Sequence, residues 1–227
     1  MLALLVDPDK VVENRDEALN RIANSQVDLI LVGGSLVFSS IEALVLELKA
    51  KTCKPVMLFP GLSSHFTAEA DAILFLSLLS GRNPDFLIGN QVHAALPVLQ
   101  SGIEVISTAY LLVDGGKTTS VEYMSNTMPI PANKPEIALA TAAAAKLFGF
   151  KMIYLEGGSG ADRHVPSSFI RLIKDNIDLP LIVGGGIRTP EALCEVMDAG
   201  ADMVVIGTAF EQNPELIESF AEVVLNR

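Results

Sequence analysis

The chain has no tryptophan, two cysteines and three histidines among 227 residues. Cys53 and Cys194 match neither a redox nor a zinc motif, so they read as core thiols in a reducing compartment. His65, His93 and His164 have no ligand-like spacing and read as surface or loop residues. Cations are scarce as well: 16 Lys and Arg stand against 27 Asp and Glu, a formal net charge of -11. That balance argues against nucleic acid and anionic lipid as general partners. It leaves phosphate ligands open, because backbone amides bind phosphate without lysines. No uninterrupted apolar run reaches the roughly 18 residues of a spanning helix. The N-terminal apolar run is too short for a signal peptide and has no basic region before it, so a cytoplasmic location is expected.

What is present is apolar residues in short runs. Half the chain is hydrophobic, enough for one sizeable core over residues 1–227. Strands are expected at Leu2–Val6, Val27–Val32, Pro55–Leu58, Asp85–Ile88, Glu104–Thr108, Lys151–Leu155, Pro180–Val183 and Asp202–Ile206. They are apolar almost throughout rather than alternating, as strands covered on both faces are. The window "AILFLSLLSG" (72–81) reads as a short buried helix.

Helix signals lie between the strands. Ser39 with Glu42 has capping-box spacing, followed by an apolar stripe of Ile41, Leu44, Val45 and Leu48. Thr189-Pro190-Glu191 reads as cap, first-turn proline and first-turn acid, and Asn213-Pro214-Glu215 repeats it. Residues 133–149 read as an alanine-rich helix ending at a glycine. Eight such units predict a single-domain α/β (β/α)₈ TIM barrel, with a doubly wound sheet as the structural alternative. Residues 113–134 form the longest irregular stretch, either a lid or pocket wall or a plain insertion.

Three places carry chemistry. "LIVGGGIRTPEA" (181–192) and "MVVIGTAFEQNPE" (203–215) follow the last two strands. Gly184, Gly185, Gly186, Gly207 and Thr208 there match a barrel's phosphate cradle of amides and a helix start. Two such loops one strand apart are a stronger sign than one tight turn. "LLVDPDK" (4–10) puts Asp7 at the end of strand one, and "ILVGGSLVFSS" (30–40) puts Ser35 after strand two. A carboxylate and a hydroxyl on neighbouring strand ends suit Mg²⁺ completed by a ligand's phosphates. The bland reading is that Asp7 opens a turn. Finally, "YLEGGSGA" (154–161) ends a strand with a carboxylate and then strips away side chains, as a backbone does where an anion comes close. Tyr154 and Glu156 are two apart on one strand and point to the same side, the mouth interior.

With "NPDFLIGNQVHAA" (83–95) and "STAYLLVDGGKTTSVEYMSNT" (107–127), these motifs in this order resemble the geranylgeranylglyceryl phosphate synthases and the bacterial heptaprenylglyceryl phosphate synthases. The likeness covers nearly the whole chain, and "YLEGGSGA" is its most specific piece. It implies a Mg²⁺-dependent prenyltransferase of phospholipid biosynthesis. Asp7 and Ser35 fall on the metal positions. Tyr154, Leu155, Glu156, Gly157, Gly158, Ser159 and Gly160 fall on the sn-glycerol 1-phosphate site, with Gly184, Gly185, Gly186, Gly207 and Thr208 on its phosphate. A polyprenyl diphosphate, geranylgeranyl by preference, is expected across the mouth with its tail in an apolar groove. A homo-oligomer with peripheral access to membrane for its lipid products is expected too. Many members carry lysine two residues before the aspartate, where Leu5 stands here, which leaves Lys10 as a replacement cation. The chain also begins almost directly at strand one, so the family's usual short N-terminal segment is either absent or removed.

The implied reaction is alkyl transfer, with Glu156 orienting the glycerol and taking its proton, Tyr154 positioning it and Asp7 holding the metal. Tyr110, expected just after strand five, touches the prenyl chain or simply packs. Two other readings are a sugar-phosphate isomerase or epimerase and a non-catalytic prenyl-diphosphate binder. The first would usually need an acid–base pair across the mouth, and only Glu156 and Asp7 are found.

Overall fold

In the computed structural model, which describes residues 1–11 and 15–225, eight strands close into a parallel barrel. They are β1 (Leu2–Val6), β2 (Leu29–Gly34), β3 (Val56–Pro60), β4 (Ala72–Leu78), β5 (Glu104–Leu112), β6 (Met152–Glu156), β7 (Leu181–Gly184) and β8 (Met203–Ile206). Each pairs with the next, and β8 returns to β1 with Leu4 opposite Ile206. The expected (β/α)₈ barrel is therefore the observed one. Among the described residues no helix is long and apolar enough to cross a membrane.

Strand alternation sorts the apolar side chains into two layers. Leu31, Met57, Leu74, Tyr154, Ile182 and Val205 fill the barrel. Leu4, Ile30, Leu58, Ile153 and Val183 face outward to the helices. At the rim where the strands begin, one device recurs. Asp28, Asp71 and Asp202 each precede a strand and accept the first N–H of the strand before it, from Leu2, Val56 and Leu181, at 2.6–2.8 Å. Each pairing meets a donor that the ladder would leave open.

The fourth strand corrects the sequence reading. The window 72–81 supplies β4, not a helix, and Asp85–Gly89 is a π-helical turn running into α3 (Asn90–Ser101). A strand buried on both faces is apolar without period, and a short apolar run does not tell strand from helix. The helix start was signalled instead by Asn83-Pro84, where Asn83 Oδ1 accepts the Asp85 N–H at 3.1 Å.

The remaining helices are α1 (Arg15–Asn24), α2 (Ile41–Lys51), α4 (Ser120–Ser125), α5 (Pro135–Leu147), α6 (Ser167–Asn176), α7 (Pro190–Asp198), α8 (Thr208–Gln212) and α9 (Leu216–Leu225). The third unit lacks a helix: β3 reaches β4 through a single 3₁₀ turn, Ser63–His65. Thr189 caps α7 as expected, accepting the Ala192 N–H. The α2 cap is Ser40, accepting from Ala43 at 3.1 Å, and not Ser39. The Ser39 N–H is taken by Asp9 Oδ1 at 2.7 Å, which holds that residue outside the helix.

Three side chains sit elsewhere than expected. Cys53 is exposed and Cys194 half-buried, so neither is a core thiol. His65 is buried rather than on the surface, and its Nδ1 accepts the Gly61 N–H at 3.2 Å. Burial lowers its pKa, with Asp7 and Asp9 opposing.

Candidate active site

Strand β6 carries the centre of the site. Tyr154 and Glu156 point into the barrel at its C-terminal mouth, 1% and 5% exposed. Leu155 between them points outward into the helix-side core, so its side chain does not reach the mouth. In register on β5, Tyr110 stands opposite Tyr154, and Leu112 opposite Glu156. Tyr110 thus lies within the strand rather than after it. The ring centroids of Tyr110 and Tyr154 are 5.3 Å apart, and Phe59 of β3 lies 5.2 Å from Tyr154.

Both tyrosine hydroxyls hydrogen-bond the Glu156 carboxylate, and the Gly158 N–H donates to its Oε1 at 2.5 Å. Burial raises the Glu156 pKa to about 7, against the lowering effect of these bonds. Burial, then the charge of Glu156, pushes both tyrosines well above their ordinary value. The pair therefore acts as neutral donors to a carboxylate poised to gain or lose a proton near neutrality.

Glycine is required where β7 passes this group. A Cβ on Gly184 would enter the Tyr154 hydroxyl, and one on Gly185 would strike Glu156 Oε1 and the Gly158 backbone. Gly185 and Gly186 also hold φ of 77° and 73°, the left-handed region that other residues seldom adopt. Across the turn, Ser159 Oγ lies 3.2 Å from Thr208 Oγ1 and ties the 157–160 segment to the start of α8.

Asp7 sits at the end of β1 in a turn set by Asp7-Pro8. Its Oδ1 accepts the Asp9 N–H at 3.0 Å, and its backbone carbonyl accepts the Lys10 N–H at 3.1 Å. Burial raises its pKa, with the Asp9 amide and the Lys10 charge opposing. Asp9 bonds the Phe38 and Ser39 amides at 2.8 and 2.7 Å. It thereby joins the loop of Asp7 to the loop of Ser35.

These groups share one cleft. Asp7, Ser35, Tyr154, Glu156, Ser159 and Gly160 line it, as do Gly185, Gly186, Gly207 and Thr208. Gly157, Gly158 and Gly184 stand behind that surface and support it. Lys10, Arg188 and Glu211 also line it, and sequence reasoning assigned no role to the last two. Arg188 reaches back to the carbonyls of Gly160 and Ala161 at 2.8 and 2.9 Å.

A second, apolar cavity opens from the same mouth. It runs between the β3–β4 connection and α3, walled by Leu62, Phe66, Ile73, Phe75, Phe86 and Ala94. Ile73 and Phe75 pack with the outer layer of the barrel. The groove thus occupies the space left by the helix missing after β3. Residues 113–134 provide part of the wall, through Val121 and Met124. One compartment is polar and the other apolar, as a substrate with a polar head and a long apolar tail requires. Gly34, Ser35, Phe59, Tyr110 and Val121 line both.

Fold and site together define a class: a (β/α)₈ barrel with a buried glutamate in a glycine-walled cleft that adjoins an apolar groove. Within that class the chain belongs to the PcrB family, whose model matches residues 2–224. It is 50% identical over 221 residues to geranylgeranylglyceryl phosphate synthase of Flavobacterium johnsoniae, covering 96% of this chain and 91% of the relative. The synthase of Spirosoma linguale is 45% identical over 98% of this chain and 90% of its own length. Among solved structures, (S)-3-O-geranylgeranylglyceryl phosphate synthase of Thermoplasma acidophilum, in complex with sn-glycerol-1-phosphate, superposes with a TM-score of 0.90. That match is at 37% identity and covers 100% of this chain and 94% of the other.

Proposed function

We propose that the protein joins sn-glycerol 1-phosphate to a polyprenyl diphosphate, geranylgeranyl by preference, through an ether bond at the 3-hydroxyl, releasing diphosphate. One observation carries this reading. The buried Glu156 lines a cleft walled by backbone turns, and its hydrogen-bond partner Tyr110 lines both that cleft and a groove walled by hydrocarbon. The names and the substrate complex of the relatives support it.

The headgroup phosphate is assigned to the amides of Gly185, Gly186, Gly207 and Thr208, with Gly184 behind them, and the glycerol to Tyr154, Glu156 and the 157–160 turn. The tail lies in the groove. Glu156 takes the proton of the 3-hydroxyl as its oxygen bonds to C1 of the donor. The bond from C1 to the diphosphate oxygen breaks, and its electron pair leaves with the diphosphate. Tyr110 and Tyr154 hold the Glu156 carboxylate in line.

The residues also fit a magnesium ion. Asp7 and Ser35 offer hard oxygen donors at one end of the cleft, and Oδ2 of Asp7 faces Gly34. Among the described residues no three His, Cys, Asp or Glu gather as a complete metal site. An ion there would take its other ligands from water and the diphosphate, as Mg²⁺ does. When bound it would neutralise charge on the leaving group.

A homo-oligomer is part of the same proposal. Ile88, Val92, Leu96 and Leu99 stay exposed along one side of α3 and the turn before it, an apolar stripe suited to a second copy. The lipid product would pass to a membrane surface from the groove, without a spanning helix.

Incubation with sn-glycerol 1-phosphate, Mg²⁺ and donors of several chain lengths tests the reading. Ether product and diphosphate should form together. Binding without product, or turnover of a sugar phosphate instead, would overturn it.

A further inference from the structure

We infer that Lys10 is a leaving-group residue, an ammonium held ready by Glu211 that binds the prenyl diphosphate as its bond to C1 breaks. The inference rests on the proposed reaction and names a residue for its hardest charge.

Cations decide the argument. Among the described residues the cleft has only two, Lys10 and Arg188. Arg188 is turned back onto the carbonyls of Gly160 and Ala161. Lys10 lies on the side of Asp7, with its Nζ 3.8 Å from Asp7 Oδ2 and 2.9 Å from Glu211 Oε2. The Asp7-Pro8 turn aims it there, through the Lys10 N–H bond to the Asp7 carbonyl. Its side chain is 43% exposed, while those of Asp7 and Glu211 are 15% and 17% exposed. The ammonium is therefore the accessible member of the three, and the carboxylates are the enclosed ones.

A diphosphate entering beside Asp7 meets Lys10 first. Three carboxylates, Asp7, Glu156 and Glu211, line the same cleft and would repel it. An ammonium that leaves Glu211 for the diphosphate gives a charge-assisted contact that strengthens as the leaving oxygen takes up the electron pair. Glu211 lies in α8, the short helix that Thr208 opens beside the cleft. The bland alternative is thus that Lys10 only neutralises Glu211 so that the headgroup phosphate is not repelled.

Calorimetry with magnesium pyrophosphate, on protein first saturated with sn-glycerol 1-phosphate, separates the two. Wild type, Lys10→Met, Glu211→Gln and the double variant are compared, with melting temperature as the folding control. Lys10→Met should weaken pyrophosphate by at least about tenfold, as loss of one charged hydrogen bond does, with sn-glycerol 1-phosphate affinity within about twofold. The double variant should stay weak, while Glu211→Gln alone binds pyrophosphate as tightly as wild type or tighter. Lys10→Arg should recover much of the affinity. Recovery in the double variant, loss confined to sn-glycerol 1-phosphate, or unchanged pyrophosphate binding in Lys10→Met would overturn the inference alone if wild type is an active synthase. Inactive wild type that binds neither ligand would overturn the proposed function and this inference with it.

Discussion

Glu156→Gln should sharply lower turnover while making the folded protein more stable at alkaline pH. Folding raises the Glu156 pKa from 4.5 to about 7, with burial as the cause. The folded state therefore holds the proton more tightly than the unfolded chain. Wild-type stability must fall as pH rises from about 4.5 to about 7 and then level off. The gap is worth roughly 3 kcal/mol, at 1.36 kcal/mol for each pKa step. Glutamine resembles the protonated acid in shape and charge. The variant should match wild type near pH 4.5 and exceed it by up to roughly 3 kcal/mol at pH 8, a rise of about 2–4 °C in melting point per kcal/mol. Turnover should fall by about 10²–10⁴-fold, the usual contribution of a general base. The wild-type rate should also drop about tenfold per pH step below an apparent pKa at or above about 7, since bound phosphates hold the proton further. Calorimetric melting at three pH values and a pH–rate profile check both halves. A stability difference that does not change with pH, or turnover within about tenfold of wild type, would refute the reasoning.

Asp7→Asn should lower turnover by at least about a hundredfold and raise the Mg²⁺ concentration for half-maximal rate, read by titrating the metal. Tyr110→Phe removes a bond that favours the charged carboxylate, so the acid limb of the pH–rate profile should move to higher pH; an unmoved limb would count against it. Ala94→Phe fills the groove between α3 and β4 and should cost at least about tenfold in kcat/KM with geranylgeranyl diphosphate while sparing geranyl diphosphate. Equal losses on both donors would mean the tail lies elsewhere. Gly185→Ala drives a Cβ into Glu156 Oε1 at a positive φ, and a loss of about 1–3 kcal/mol should appear in urea unfolding.

The sequence made seven of the eight strands legible because their apolar runs lie between clear turn and cap residues. It misread the fourth because Ala72–Leu78 is covered on both faces and carries no alternation. The adjoining segment Asp85–Ile88, expected as a strand, is instead the π-helical turn that follows Asn83-Pro84. Site residues on strand ends were readable, since Asp7, Glu156 and the glycine turns each break an apolar run. What could not be read was packing across strands. Nothing local tells that the Tyr110 hydroxyl meets Glu156, because their contact depends on the register of β5 on β6. Lys10 facing Glu211 depends likewise on closure of the barrel between β8 and β1. The burial of His65 follows from the β3–β4 connection having only a 3₁₀ turn where a helix was expected.

That short connection bears on how the two cavities divide the work. A full helix after β3 would pack on Ile73 and Phe75, and those side chains would be core. Without it they become groove wall, with Ala94 of α3 opposite. The groove therefore runs down the outside of the barrel, while the cleft sits over its axis. A substrate with an apolar tail in one and a charged head in the other must bend over the rim at β3. The residues shared by both cavities, Ser35, Phe59 and Tyr110 among them, mark that bend. Asp7, Lys10 and Glu156 all line the cleft beyond it. In the proposed reaction the path of the donor is therefore shaped by which helix the barrel omits as much as by which side chains it carries.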